Sequence, residues 1–416
     1  MKTSQIKLLC PLIIIVLLSG CWDQKEIDRR DYVLAIGFDK AEDQGIEISF
    51  LIINPEVGSV QMGGSTSEPP TEIISFKTKD IITTESFANT IVAREISFDM
   101  IRIIIVSEKL ARDKDFIRWM YDAIKLKDIR RDNFLVFTKE DARKFMENNK
   151  PRLETRVHKY FENIINRGNE TGLIPFSQLH TYLRITEADA DLFLGIYATT
   201  EPDKDEINEM RNEDNIFAGQ FKPRGKTNKT EFLGSAVFKE GKMIGKLTGE
   251  ETRISYLLNN VDHATDMLAS VPDPFNKNYS MGVRISQQKE ADIQMNLFDR
   301  NGTIHVTLPL MIDVLSDHSM VNYNSNKENR EKLKKHIEDQ FEGRINNFVR
   351  KTQEEFKGEP FGWSLNARKE FSNLKDYYKF NWMEAYPNMD VKVTVKVKII
   401  EYGRQSKLPS LHKVRD

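Results

Sequence analysis

Hydrophobic residues are distributed along this chain in three ways. Over 8–18 they form an almost unbroken run behind Lys2 and Lys7. That run is too short for a permanent bilayer span, which takes roughly 20 apolar residues, and has the length of a signal peptide. Over 32–198, short β-branched and aromatic runs alternate with segments whose apolar residues recur at helical spacing, which predicts a mixed sheet with helices packed on it. From 230 onward strand-like runs dominate, interrupted by two or three helical segments, one of them long, which predicts an α+β domain with a largely antiparallel sheet. The fold class expected for the whole is multidomain α+β.

The pattern also predicts individual elements. Residues 32–38 and 46–52, joined by a polar turn at Asp43-Gln44-Gly45, read as a β-hairpin, and the Gly- and Pro-bearing stretch 54–70 as a loop. Thr83-Thr84-Glu85 is expected to cap a helix carrying Phe87, Ile91 and Val92, Thr138 to cap one carrying Phe145 and Met146, and Pro175 to open one through Leu179 and Leu183. Residues 101–106 and 134–137 read as buried strands, and Val157, Tyr160, Phe161, Ile164 and Ile165 as one helix face. In the second half, 232–238 and 243–247 around Glu240-Gly241-Lys242 form a hairpin, and a helix over 250–258 follows. Strands are expected over 281–286, 291–298 and 303–310. The segment 326–356 is expected to be a helix buried along Leu333, Ile337, Phe341, Ile345 and Phe348. Val391, Val393, Val395, Val397 and Ile399 alternate with Lys392, Thr394, Lys396 and Lys398, which predicts a last strand with a lysine-rich outer face that discourages edge pairing.

The stretch 199–229, acidic and polar at first and then basic with Pro223 and Gly225, reads as an interdomain linker. The expected organisation is a signal peptide over 1–20, an α/β region over 21–198 with room for two subdomains, the linker over 199–229, an α+β domain over 230–403 and a tail over 404–416.

Leu18-Ser19-Gly20-Cys21, placed directly after the apolar run, has the form of a bacterial lipobox. Small residues admit the backbone to a protease groove, and the cysteine thiolate takes the lipid. Cys21 is therefore the expected lipidation site and first mature residue, and the chain is expected to be held at a membrane surface outside the cytoplasm. The other cysteine, Cys10, lies in the segment to be removed, so the mature chain is expected to lack free thiols, disulfides and cysteine metal ligands. The formal net charge of −2 gives no footprint for nucleic acid.

Catalytic and ligand signatures fail on spacing. Gly219, Gly225, Lys226 and Thr227 approximate a phosphate loop, but five residues separate the glycines where four are needed, and Pro223 removes an amide donor. His158, His180, His263, His305, His318, His336 and His412 are scattered without zinc spacing. Asp189 and Asp191, and Asp203, Asp205 and Glu206, lack the glycine and closing glutamate of a calcium loop. No nucleophile elbow is present, since Gly234-Ser235 falls inside an expected strand. No catalytic residue, cofactor or metal is assigned.

Taken in order, several segments resemble the Ger(x)C family, the C subunits of spore nutrient-germinant receptors. They are Cys21-Trp22-Asp23 with Glu26-Ile27 and 33–37, then 103–111, then Gly234-Ser235-Ala236-Val237-Phe238-Lys239 with Lys246-Leu247-Thr248-Gly249-Glu250-Glu251. Pro360-Phe361-Gly362, Trp382 and the strand over 391–403 complete the series. The chain departs from that family at Asp99-Met100, where Gly-His is frequent, and at 363–366, where a second Phe-Gly is frequent. The resemblance implies a three-domain, non-catalytic lipoprotein on the outer face of the spore inner membrane. It also implies a receptor shared with two integral-membrane subunits, A and B, that responds to amino acids, sugars or nucleosides. The alternative is a solute-binding lipoprotein that captures the germinant in a cleft where the halves meet, near 199–229.

Overall fold

A computed structural model describes residues 29–403 other than 43–44, 54–70, 127, 155, 189, 204–213, 222, 224, 260–263, 300, 320 and 324–325. The expected signal peptide, Cys21, the loop over 54–70 and the tail over 404–416 lie outside the described residues.

Fourteen described strands form two sheets, and the resemblance's three domains have no third sheet among them. The first sheet contains β1 (Arg30–Lys40), β2 (Ile46–Ile53), β3 (Thr71–Thr78), β4 (Glu95–Ser97), β5 (Ile103–Ser107), β6 (Phe134–Thr138), β7 (Phe193–Thr199), β8 (Glu231–Lys239) and β9 (Lys242–Leu247). Its order is β3-β2-β1-β5-β6-β7-β8-β9, with β4 also beside β1. The four central strands β1, β5, β6 and β7 run parallel, and both flanks are antiparallel. Parallel strands are covered on both faces, so they read as continuous apolar runs; every residue of β5 is buried. One face packs Phe116, Met120, Leu179 and Tyr182 over Phe38, Phe137 and Phe238, and the other packs Phe145, Met146, Phe161 and Ile165 over Ile103, Ile105 and Val136.

The second sheet contains β10 (Met267–Pro272), β11 (Ser280–Ser286), β12 (Asp292–Asn296), β13 (Thr303–Ser316) and β14 (Asp390–Tyr402). Its pairings are antiparallel except that β13 and β14 are parallel, because the chain crosses between them through the long helix Lys327–Lys351. That helix buries Leu333, Ile337, Phe341, Ile345 and Phe348, the stripe its spacing predicts, and passes into a π-helical turn over Thr352–Phe356. Its next stripe closes the sheet edge. Glu338, Glu342 and Asn346 accept from the backbone N–H groups of Val397, Val395 and Val393 at 3.0, 2.9 and 3.0 Å. The edge of β14 is thus satisfied by a helix, while its lysines stand exposed on the outer face.

Several expectations are corrected. The helix Ile81–Ala88 begins before Thr83 and is capped by Asp80, whose carboxylate accepts from Ile82 N. Its inward residues are Ile81, Thr84 and Ala88, which leaves Phe87 and Ile91 exposed. The helix Ala142–Asn148 takes its cap from another strand, since Asp39 of β1 accepts from Ala142 N and Arg143 N, and Thr138 does not cap it. Pro175 does not open a helix; Gln178 bridges Phe134 and the helix starts at Leu179.

The boundary at 230 does not divide the sheets. The β8–β9 hairpin pairs with β7 and belongs to the first sheet, turning Phe238 and Met243 to that core and Val237 and Leu247 to the second. The described parts of 199–229 are not a free spacer either. Ile216 and Ala218 are buried, Ala218 N donates to Leu233 O, and Gly219 N donates to Glu231.

Candidate functional site: the seam between the sheets

The two halves meet where β7, the helix Gly249–Leu258 and the segment after Phe356 converge. The helix forms at this point because Thr248 and Glu251 make a reciprocal capping box. Its first turn is then held by the long helix, through Arg344 to Glu250 at 2.7 Å and Lys351 to Glu251 at 2.8 Å. Arg253, buried in its middle, reaches three separate segments. It donates to Thr171 O at 2.9 Å, Leu268 O at 2.6 Å and the Asp214 carboxylate at 2.7 Å.

At the centre of the seam lies a pair of carboxyl groups, Asp191 and Glu359; sequence reasoning weighed Asp191 only as a calcium ligand and did not single out Glu359. Glu359 is fully buried just before Pro360-Phe361-Gly362. Its Oε1 accepts from Ser364 N at 3.1 Å and Trp382 Nε1 at 3.2 Å, its Oε2 accepts from Phe361 N, and its backbone carbonyl accepts from Leu192 N. Asp191 comes from the other half; its Oδ2 accepts from Ser364 Oγ at 2.7 Å, and its Oδ1 is sealed from water without a donor of its own. The two carboxyl groups lie close enough to act on each other's ionisation. Burial pushes both toward the protonated form, and for Glu359 the neighbouring Asp191 charge pushes in the same direction. That direction predicts one proton shared by the two, in the place of the donor that Asp191 Oδ1 lacks. The pair is a clasp joining the halves through Ser364, whose N donates to Glu359 and whose Oγ donates to Asp191.

Above the clasp is a groove of about 60 Å³ lined in part by Phe176, Leu192, Leu194, Tyr256, Asn259 and Pro360. Among the described residues, none of its lining falls in 199–229, where the cleft was expected. A wider, open depression of about 960 Å³ lies at the far end of β1, where Lys40, Arg112 and Arg118 already pair with Asp113, Glu108 and Asp115. Among the described residues, no group of three histidine, cysteine, aspartate or glutamate side chains is placed to hold a metal ion. Asp203 of the expected acidic stretch pairs with Lys139, while Asp189, Asp205, Glu206 and the expected lipidation residue Cys21 lie outside the described residues.

Comparison with known proteins accounts for both halves. Residues 23–199 match the family model described as the spore germination protein N-terminal domain, and 233–403 match the one described as spore germination B3/GerAC like, C-terminal. Spore germination protein B3 of Bacillus subtilis (strain 168) is 21% identical over 98% of this chain and 100% of its own length. Spore germination protein KC of the same organism is 31% identical over 26% of this chain and 27% of its own. The crystal structure of the GerBC protein has the same fold, with a TM-score of 0.53 and 15% identity over 88% of this chain and 96% of that one. With both family models matched in order across the two halves, the chain belongs to the GerAC-like, or Ger(x)C, family of spore germination proteins, the C subunits of germinant receptors.

Proposed function

We propose that this chain is the lipid-anchored, non-enzymatic C subunit of a spore nutrient-germinant receptor. It is held at the outer face of the spore inner membrane by a diacylglyceryl group on Cys21, where it assembles with the integral-membrane A and B subunits. The observation that carries this reading is the ordered match of both halves to spore germination domains, with Leu18-Ser19-Gly20-Cys21 ahead of the first strand. No helix among the described residues is long and apolar enough to cross a membrane, so attachment is assigned to the lipid. Confinement to a surface raises the effective concentration of partners and turns weak side contacts into assembly.

The seam supports a scaffold over direct germinant capture. Its groove of about 60 Å³ is well below the roughly 300–1,000 Å³ of small-molecule pockets. Replacing Cys21→Ala tests the mechanism. Receptor level in the spore membrane and germination rate should fall while the globular part still folds; normal germination with unlipidated protein defeats the proposal.

A further inference from the structure

We propose that the edge of the first sheet at which β1 begins rests on the phospholipid surface, with Phe87, Ile91 and Met100 entering the headgroup–acyl boundary. The inference deepens the anchored-subunit reading and rests on lipidation of Cys21.

The placement follows from topology. Arg30–Tyr32 of β1 pairs with Glu95–Ser97 of β4, so the start of β1 and residues 95–100 share one edge. The helix Ile81–Ala88 leaves the far end of β3 and returns to this edge, where Asn89 Oδ1 accepts from Ile96 N at 2.8 Å. Because Ile81, Thr84 and Ala88 take the inward stripe, Phe87 points outward. Phe87, Ile91 and Met100 are 58%, 63% and 42% exposed, as is Ile82 at the opposite end of the same helix, while Ile96, Phe98 and Ile101 beside them are buried. Arg102 at the head of β5 and Arg131 ahead of β6 are exposed at the same end of the parallel strands, suited to headgroup phosphates. Exposed apolar residues beside arginines suit an interfacial contact, and of the carboxylates at this end Asp99 is paired with Arg30 and Asp132 with Arg130.

The tether fixes the occupant. Eight residue steps separate Cys21 from Arg29, and a fully extended chain spans at most about 28 Å over that length. The start of β1 therefore stays within that distance of the acyl chains, whereas its other end is a further ~33 Å away along eleven residues of strand. Of the sheet's two ends, only this one is held at the bilayer.

The mature chain has no cysteine besides Cys21, so single-cysteine labelling of the full chain reads this directly. Ile91→Cys and Met100→Cys, with Phe298→Cys and Leu268→Cys as exposed controls on the second half, are labelled with an environment-sensitive fluorophore and reconstituted in phosphatidylglycerol-containing vesicles. The expected result is a blue shift and protection from an aqueous quencher at 91 and 100, with none at 298 and 268. Labels at 91 and 100 that stay as quenchable as the controls, on protein that floats with the vesicles, overturn the lipid contact and leave the anchor standing. A shift only after the polytopic subunits are added also overturns it, in favour of a protein contact. If the parent chain labels at Cys21 and does not float, the anchor and the inference built on it both fall.

Discussion

Replacing Asp191→Asn puts the clasp under the most specific test. Burial pushes Asp191 and Glu359 above their ordinary range, which predicts one proton held between them in the folded protein. A group with a raised folded pKa contributes stability that is fully present below its unfolded pKa, near 4 for a carboxyl, and that is lost as pH rises toward the folded value. The folded state binds the extra proton in that window. Each retained proton therefore lowers the unfolding free energy by about 1.4 kcal/mol per pH unit. The substitution removes the need for the proton. The amide oxygen can keep the 2.7 Å bond from Ser364 Oγ, and the amide N–H₂ takes the place of the donorless Oδ1 and faces Glu359 as a permanent donor. Glu359 then ionises while still accepting from Ser364 N, Phe361 N and Trp382 Nε1.

Urea unfolding of both proteins from pH 5 to pH 8.5 gives the comparison. Asp39, Glu231, Glu250 and Asp317 are also raised by burial and tilt both curves alike, so the difference between the curves isolates the clasp. The variant is expected to gain on the parent by up to ~1.4 kcal/mol per pH unit across the window. Parallel curves, or a variant that loses ground as pH rises, would refute the shared proton.

Other perturbations follow from single contacts. Glu342→Ala strips the acceptor from Val395 N at the edge of β14 and should lower stability by about 1–3 kcal/mol in urea unfolding, with Glu342→Gln recovering most of the loss. Arg253→Met leaves Asp214 and two carbonyls without their donor inside the seam. It should cost about 3–5 kcal/mol by the same assay and raise amide exchange near Thr171 and Leu268. Gly234 sits at φ +84, where a Cβ would meet Leu247 O, so Gly234→Ala should lower stability by more than the ~1–2 kcal/mol that the left-handed conformation alone costs, read as a lower thermal midpoint.

Periodic elements were legible in the sequence because their pattern is set by a core on one side. The long helix shows Leu333 to Phe348 at helical spacing, the last strand alternates Val with Lys, and Thr248-Glu251 announces its helix. β10 was missed because Ala269, Ser270 and Pro272 dilute its apolar run on an edge strand. That the hairpin after 230 completes the first sheet was not legible, because a hairpin apolar on both faces fits either sheet and only pairing with β7 decides between them.

The clasp was illegible for a different reason. Asp191 and Ser364 are 173 residues apart, and a lone carboxylate beside an expected strand reads as solvated. The local signal was Glu359 lying directly against Pro360-Phe361-Gly362, a charged residue where the chain turns apolar. The cap supplied by Asp39 shows the same limit. Asp39 closes its helix from another strand and leaves no trace at the helix itself, whereas Asp80 stands directly before its helix, where Thr83-Thr84-Glu85 offered a competing cap.

The central claim is an anchored subunit in a three-part receptor, and co-purification from detergent-solubilised spore membranes, with a tag after Asp416, tests it most directly. Recovery of two polytopic receptor subunits with the parent chain, and their loss with Cys21→Ala, is the predicted result. Recovery of this chain alone, under conditions that keep another germinant receptor intact, would contradict it.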